Sequence, residues 1–379
     1  MKSNEKLNAE ESAVSPLFFL AQPGQATHRA CGDLRRVRFI LPKSYQLASQ
    51  TLSFFLPSLK ATVLETKYRV PALNREGSYA ESQLLKQIRA AVCMFDAAAA
   101  ASIGTPGPYT KNCLLFIGPN GRYLAIAKVA CSAPARRLLT NEERWLQTLS
   151  AEPKTTSFVP QLIHSAKLTS ASAIFQQPGS GAFVAGPIRQ AHLQLLSSLQ
   201  ELPNVRPDFQ HSVMRENLRI SLQSVAAKLG QRWLERAMET LHVLDQRLQP
   251  TIPMVNAHRD FVPWNMRERD QGIFLFDWEY ASEQYLPLYD LFHYMLMPMV
   301  LKNRITSAQI KRVLSDVKGL GSLLTHGKEK VAMPDAQLLA YLLDRSLLHL
   351  VSNDGKASGD QVVERYGELI DQYPQWRTL

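Results

Sequence analysis

From residue 182 onward the sequence reads as helix after helix, over about 185–201, 213–228, 230–248, 283–300, 305–317, 335–350 and 359–371, with apolar residues at helical spacing. One stretch breaks the pattern. Residues 253–278 hold two short apolar runs around an irregular loop, with Asp270, Gln271 and Gly272 as turn residues. Strands inserted into a helical body must find each other locally, so the loop between them is held at a defined place. That insert limits the fold more than any other feature of the chain.

Upstream the period is that of strands. Residues 113–117 form an apolar run that ends in Gly118-Pro119-Asn120-Gly121, a strong turn signal, and 123–130 form the second arm of the hairpin. A helix follows over 134–149, then a strand over 171–176, closed by Pro178 and Gly179. Residues 35–100 show mixed local patterns: a strand over 37–41, a helix over 45–56 and another over 82–95. The expectation is a two-lobed, protein-kinase-like α+β fold. It comprises an N-terminal extension or accessory layer (1–100), a small mixed-sheet lobe (101–178) and a larger helical lobe (179–379).

With 45% apolar and 20% charged residues the chain has ordinary globular composition, which excludes a disordered protein. The apolar stretch 90–103 is broken by Asp96 and falls short of the roughly 20 residues of a membrane span. Residues 1–13 are polar and carry no secretory pattern, so a cytoplasmic location is expected. Lys and Arg number 43 against 33 Asp and Glu, a net charge of +10 that favours polyanionic partners such as nucleotides. Those charges are scattered rather than striped, so no nucleic-acid partner is expected. Cys31, Cys93, Cys113 and Cys131 show no metal-ligand spacing and read as reduced thiols.

The insert reads A-H-R-D-F-V-P-W-N, then I-F-L-F-D-W-E-Y-A. Phosphoryl transfer needs a carboxylate to orient and deprotonate the attacking hydroxyl, and hard oxygen ligands to hold divalent metal on the phosphates. Asp260 is placed to be the base. Asn265, five residues on, and Asp277, after the next short strand, are placed as magnesium ligands. The spacing His-x-Asp-x-x-x-x-Asn is that of kinase catalytic loops. The plainer alternative, in which His258, Asp260 and Asp277 merely cap turns, does not account for the full string.

These residues resemble the signature of the aminoglycoside phosphotransferase and choline kinase-like superfamily, H-G-D-x-x-x-x-N followed by I-D-W/F-E-x-A. Here 258–265 and 277–281 carry it, and Pro287-Leu288-Tyr289-Asp290-Leu291 supplies the family's downstream P-x-x-D-L. Arg259 stands where the family usually has Gly. The resemblance covers about residues 100–350 and is strong over 255–295. It implies ATP or GTP as co-substrate with Mg2+ as cofactor, and a cation on the nucleotide phosphates tied to a helix carboxylate. Lys128, on the strand Tyr-Leu-Ala-Ile-Ala-Lys, is the expected cation.

Glu142 and Glu143 compete to be its partner. Glu142 shares the apolar stripe with Leu146 and Leu149, whereas Glu143 points about 100° away and suits a capping box with Thr140. Glu142 is expected. Gly104 and Gly107 are placed for a phosphate-covering loop, and backbone around Gln176 and Gln177 for contact with the base. Asp290 is assigned to scaffold, as a helix cap or an acceptor of catalytic-loop N–H groups.

Three functional classes remain: a small-molecule kinase, a protein kinase and a non-catalytic nucleotide-binding scaffold. Only 290 − 277 = 13 positions separate Asp277 from Asp290, which leaves little room for a peptide-binding activation segment. Lys128, Asp260, Asn265 and Asp277 are all present, which favours an active enzyme. The acceptor is expected to be a hydroxyl of a sugar, amino alcohol or aminoglycoside-like molecule. The basic balance and the lack of an acidic run in 283–379 lean towards a sugar.

Overall fold

The computed structural model describes residues 17–19, 83–94, 97–103, 107–118, 122–203, 205–248, 252–302, 305–324 and 332–377. The strand expected over 37–41, the helix over 45–56 and the turn residues Pro119, Asn120 and Gly121 lie outside them. The chain forms two compact units, one of residues up to 151 with 159–181, the other of 152–158 with 182–379.

The first unit is an antiparallel sheet in the order β1-β2-β3-β4-β6-β5. Its strands are β1 (Leu17–Phe19), β2 (Ala98–Ile103), β3 (Lys111–Ile117), β4 (Tyr123–Ala130), β5 (Leu162–Lys167) and β6 (Ser172–Gln176). Alternation along the strands decides which side chains meet. Leu114 and Phe116 of β3, Ala125, Ala127 and Val129 of β4, and Ala173 and Phe175 of β6 share one core with Ile88. Ile88 comes from helix α1 (Gln83–Ala91), shorter than the 82–95 expected. Helix α2 (Ala133–Ala151) packs on β4, β5 and β6 with Leu139, Trp145, Leu146 and Leu149 buried. The strands β1, β2 and β5 escaped the sequence reading. The alanine run of β2 has no strand propensity of its own. In β5, none of the residues Leu-Ile-His-Ser-Ala-Lys is fully buried, so no apolar alternation marks it.

The second unit is helical around two small sheets. One has the order β10-β9-β7, from β7 (Ala182–Phe183), β9 (Met266–Arg269) and β10 (Gly272–Leu275); the other pairs β8 (Val255–Ala257) with β11 (Ser282–Tyr285). Its helices are α3 (Gln190–Gln200), α4 (Val213–Val225), α5 (Gln231–Arg247), α6 (Tyr289–Leu301), α7 (Ser307–Leu324), α8 (Pro334–Ser352), α9 (Gln361–Asp371) and the short α10 (Tyr373–Trp376). Helix α8 is buried almost all round, as a helix apolar on every side must be, and packs on α4, α5, α6 and α9.

The helix expected over 283–300 is a correction. Residues 282–285 turn back as β11, with Ser282 paired to Ala257 and Tyr285 to Val255, and the helix begins at Tyr289. Pro287 is the cause, because a proline forces the preceding residue out of helical conformation. No helix among the described residues is long and apolar enough to cross a membrane.

Phe116 and Phe175 have no exposed surface and their ring centroids lie 6.3 Å apart at the centre of the first sheet. Phe175→Ala should lower stability by about 3–5 kcal/mol, read from urea denaturation.

Candidate active site

In the first unit Lys128 sits near the end of β4, opposite Ile174 and Cys113 on the neighbouring strands. Its ammonium lies 2.5 Å from Glu142 Oε1, with Lys128 7% exposed and Glu142 fully buried. A single buried charge here would be severely penalised, so the two are retained as a pair. The ion pair selects Glu142 over Glu143, which is only half-buried. The capping box imagined for Thr140 does not form, because α2 starts at Ala133 and Thr140 is inside it. The cap is Ser132, whose Oγ accepts from the Ala135 N–H.

Gly107 is exposed, its carbonyl accepts from Thr110, and a Cβ there would touch nothing within 4 Å. Gly104 lies outside the described residues. Gln176 is the buried last residue of β6, and the Gln177 N–H is already donated to Gln161 O at 2.9 Å.

In the second unit the wholly buried β8 delivers the chain into His258-Arg259-Asp260. Asp290, on the first turn of α6 and 2% exposed, accepts the His258 N–H on Oδ2 and the Arg259 N–H on Oδ1, both at 2.8 Å. Burial pushes its carboxyl up to about 6, against the opposing pull of those two N–H donors. The His258 ring, fully buried, stands edge-on to Trp278 at 4.5 Å and accepts from the Asp260 N–H.

Arg259 adopts a left-handed backbone (φ 65°), which disfavours any residue with a Cβ. Its guanidinium is held by Asp344 at 3.0 Å and lies over the Tyr285 ring at 4.3 Å. Arg345, the neighbour of Asp344 on α8, donates to the Arg259 carbonyl. The positive φ gives a physical reason for the glycine usual at this position, and the buried ion pair is what accompanies arginine there.

Asp260 keeps 22% of its side chain exposed. Asn265 donates its amide to Oδ2 at 2.7 Å and to the Asp260 carbonyl, while His293 Nε2 lies 3.0 Å from Oδ1. Burial acts to raise the Asp260 pKa, but the His293 hydrogen bond, the charge that His293 carries in the acid range and the charge of Arg345 outweigh it and hold the carboxyl well below its usual range. His293 itself is pushed down to about 4, by burial and then by the Arg345 charge. At neutral pH the carboxylate is therefore ionised and the imidazole neutral.

Asn265, by turning its N–H groups on Asp260, leaves its carbonyl oxygen as the atom it offers. The Phe276 N–H donates to the backbone carbonyl of Asn265, not to its side chain, and Leu275 pairs with Met266, so Asp277 follows β10 beside the start of β9. Asp277 is half-buried, with φ at 73°, and a carboxylate oxygen of Asp277 and one of Glu279 lie within 4.8 Å of each other. Two carboxylates and an amide carbonyl are the hard donor set that magnesium takes. Sequence reading placed Asp260, Asn265 and Asp277 together. It did not assign roles to Glu279, His293, Asp344 or Arg345. Glu279 was at least visible, because it belongs to the motif D-W-E.

An antiparallel sheet with a buried lysine–glutamate pair, and a helical unit with an Asp–Asn loop followed by a strand and a second Asp, define a kinase-like phosphotransferase. The model of the phosphotransferase enzyme family matches residues 116–313, more than half of the chain, and the chain belongs to that family. Among solved structures it is similar to a protein assigned as a fructosamine-3-kinase from Thermobifida fusca. The two are 13% identical, with a TM-score of 0.52 over 77% of this chain and 99% of the other. A spectinomycin phosphotransferase in complex with ADP and spectinomycin aligns over 77% of this chain and 98% of its own, at 12% identity and a TM-score of 0.46. No curated protein sequence matches the chain.

Two outcomes are expected from this geometry. Arg259→Gly relieves the left-handed backbone but strands Asp344, so stability should fall by about 3–5 kcal/mol, and adding Asp344→Asn should recover part of that loss. Chemical denaturation of the single and double variants measures both. For Asp290 the folded pKa of about 6 lies above its ordinary 3.8, so the folded state holds the proton longer. Its contribution to stability declines as pH rises from about 4 to about 6. Asp290→Asn should lack that slope when melting temperatures are compared across this range.

Proposed function

We propose that the chain transfers the γ-phosphoryl group of ATP or GTP to an alcohol hydroxyl of a small molecule. Residues 101–178 would form the nucleotide-binding lobe and 179–379 the lobe carrying base and metal ligands. Asp260 acts as general base: it accepts the proton of the acceptor hydroxyl as that oxygen attacks phosphorus. Lys128, oriented by Glu142, neutralises the nucleotide phosphates. Asn265 and Asp277 would hold Mg2+, which when bound supplies charge neutralisation and alignment of the phosphates. The adenine or guanine is assigned to backbone around Gln176 and Gln177, and the nucleotide phosphates to the loop of Gly104 and Gly107.

The observation that carries this reading is the state of Asp260. Its carboxylate is ionised, held on both oxygens by Asn265 and His293, and still part-exposed. A carboxylate that only caps a turn accepts from backbone N–H groups, as Asp208 does from His211, whereas Asp260 is held by two side chains. Between Asp277 and Asp290 the chain is a single turn, the short β11 and the onset of α6, so no extended segment offers a peptide platform. That supports a small-molecule acceptor. The lack of an acidic run in 283–379 supports a neutral polyhydroxylated acceptor such as a sugar over a polycationic one.

The test is a nucleotide-consumption screen of the purified chain against pooled sugars, amino alcohols and aminoglycosides. Asp260→Asn should lower turnover by about 10²–10⁴ while nucleotide still binds. Asp277→Ala should abolish the rise in melting temperature caused by ATP with magnesium. Near-normal turnover in the first variant, or undiminished stabilisation in the second, would remove the respective assignment.

A further inference from the structure

His293 is buried without trace of exposure and lies on the second turn of α6, one turn beyond Asp290. Its Nε2 faces Asp260 Oδ1 at 3.0 Å and its Nδ1 faces the Tyr341 hydroxyl at 3.0 Å. The Tyr341 hydroxyl in turn lies 2.8 Å from that of Tyr366. Tyr341 is on α8 and Tyr366 on α9, and both are fully buried. The line thus runs Asp260, His293, Tyr341, Tyr366 across three helices.

The direction of each bond follows from the first. An ionised carboxylate only accepts, so Nε2 must carry the imidazole proton. The ring is neutral, which leaves Nδ1 bare, and a bare Nδ1 needs a donor. Tyr341 is that donor, and its own oxygen then accepts from Tyr366. Burial lifts both phenols above their ordinary range, so neither gives up its proton near neutrality. Phenylalanine would fill the same space without a hydroxyl to satisfy, and an unsatisfied buried hydroxyl costs about 1–3 kcal/mol. Two tyrosines in series, ending on the histidine that meets the base, are accounted for by the orientation they impose.

We propose that His293 is a positioning residue for the reaction, which fixes the rotamer of Asp260 through an Nε2–H donor, and that Tyr341, backed by Tyr366, holds the ring in that orientation by donating to its bare Nδ1. Asn265 grips the other oxygen, so the carboxylate is held from both sides and presents one edge outward. His293 does not touch the acceptor. Its role rests on the phosphoryl-transfer reading only for its consequence in turnover, whereas the hydrogen-bond order stands or falls by itself.

The test has two arms on the full chain. In the first, steady-state turnover is compared in wild type, His293→Leu and His293→Gln, with ATP, magnesium and the best acceptor of the screen, or water where no acceptor is found. Misplacing a catalytic group by an ångström costs about 10²-fold. His293→Leu should lower kcat by roughly ten- to a hundredfold with the KM for ATP unchanged, and glutamine, which places an N–H at the Nε2 position, should restore most of it. In the second arm, nitrogen-resolved NMR of labelled histidines, with His293→Gln identifying the signal, should show a neutral Nε2–H ring. Tyr341→Phe, a milder change than emptying the site, should keep the Nε2–H ring but move the Nδ1 resonance towards that of a nitrogen that accepts no hydrogen bond.

Unchanged kcat in His293→Leu overturns the proposal, as does equal loss of kcat in the leucine and glutamine variants. An Nδ1-protonated ring in the wild type overturns it too, whether or not turnover is seen. A wild-type chain that consumes no nucleotide but shows the expected Nε2–H ring upholds the hydrogen-bond order and removes the kinase reading instead.

Discussion

The second unit is organised by one buried carboxylate. Asp290 takes the backbone N–H groups of two consecutive residues, His258 and Arg259, and so holds the strand exit where it becomes the loop 258–265. Two adjacent N–H groups converge on one acceptor only if the chain turns sharply, and the left-handed conformation of Arg259 is that turn. The direction of Asp260, the next residue, follows from it. The same acid lies on the first turn of α6, which carries His293 to Oδ1 of Asp260. Helix and loop are therefore set by a shared anchor.

Around that anchor the charges are arranged in near balance. Arg259 and Arg345 face Asp344 and Asp260, with Asp290 behind the loop and Tyr289 donating to Asp344. Removing any single member leaves another buried charge alone, which is costlier than the pair was worth. The arrangement also sorts two carboxylates 30 residues apart in sequence into different states. Asp290 lies among backbone donors in a dry setting and is raised, whereas Asp260 has a histidine and an arginine nearby and is lowered.

How much of this was written plainly in the chain depends on the range of the interaction. Asp260, Asn265 and Asp277 could be found because their spacing is local: one loop and one hairpin bring them together, and strand register does the rest. Glu142 was reachable for a similar reason, since helical periodicity places it on the buried stripe with Leu146 and Leu149. His293, Asp344, Arg345, Tyr341 and Tyr366 come from helices whose order in space no periodicity reveals. In α8 the apolar pattern runs right round the helix, so nothing marks Asp344 and Arg345 as facing the loop rather than a neighbour. The strand β11 was read as helix because Ser-Glu-Gln-Tyr has no alternation; the proline two residues later was the available signal. The strand β2 was missed because alanines have no preference that survives without their partners.

The position of α8 has a consequence for how this molecule tolerates shortening. The sequence signature is complete by Leu291, yet the floor beneath it is supplied by residues 341–345 and by Tyr366, at least 341 − 291 = 50 positions further on. A fragment ending anywhere between would still spell out every motif residue. In it Arg259 would have no counter-ion and the imidazole of His293 no donor on its Nδ1 side. Such a fragment would be recognised by its letters and be unable to hold its loop in place, so the smallest unit that can act as this site extends through α9.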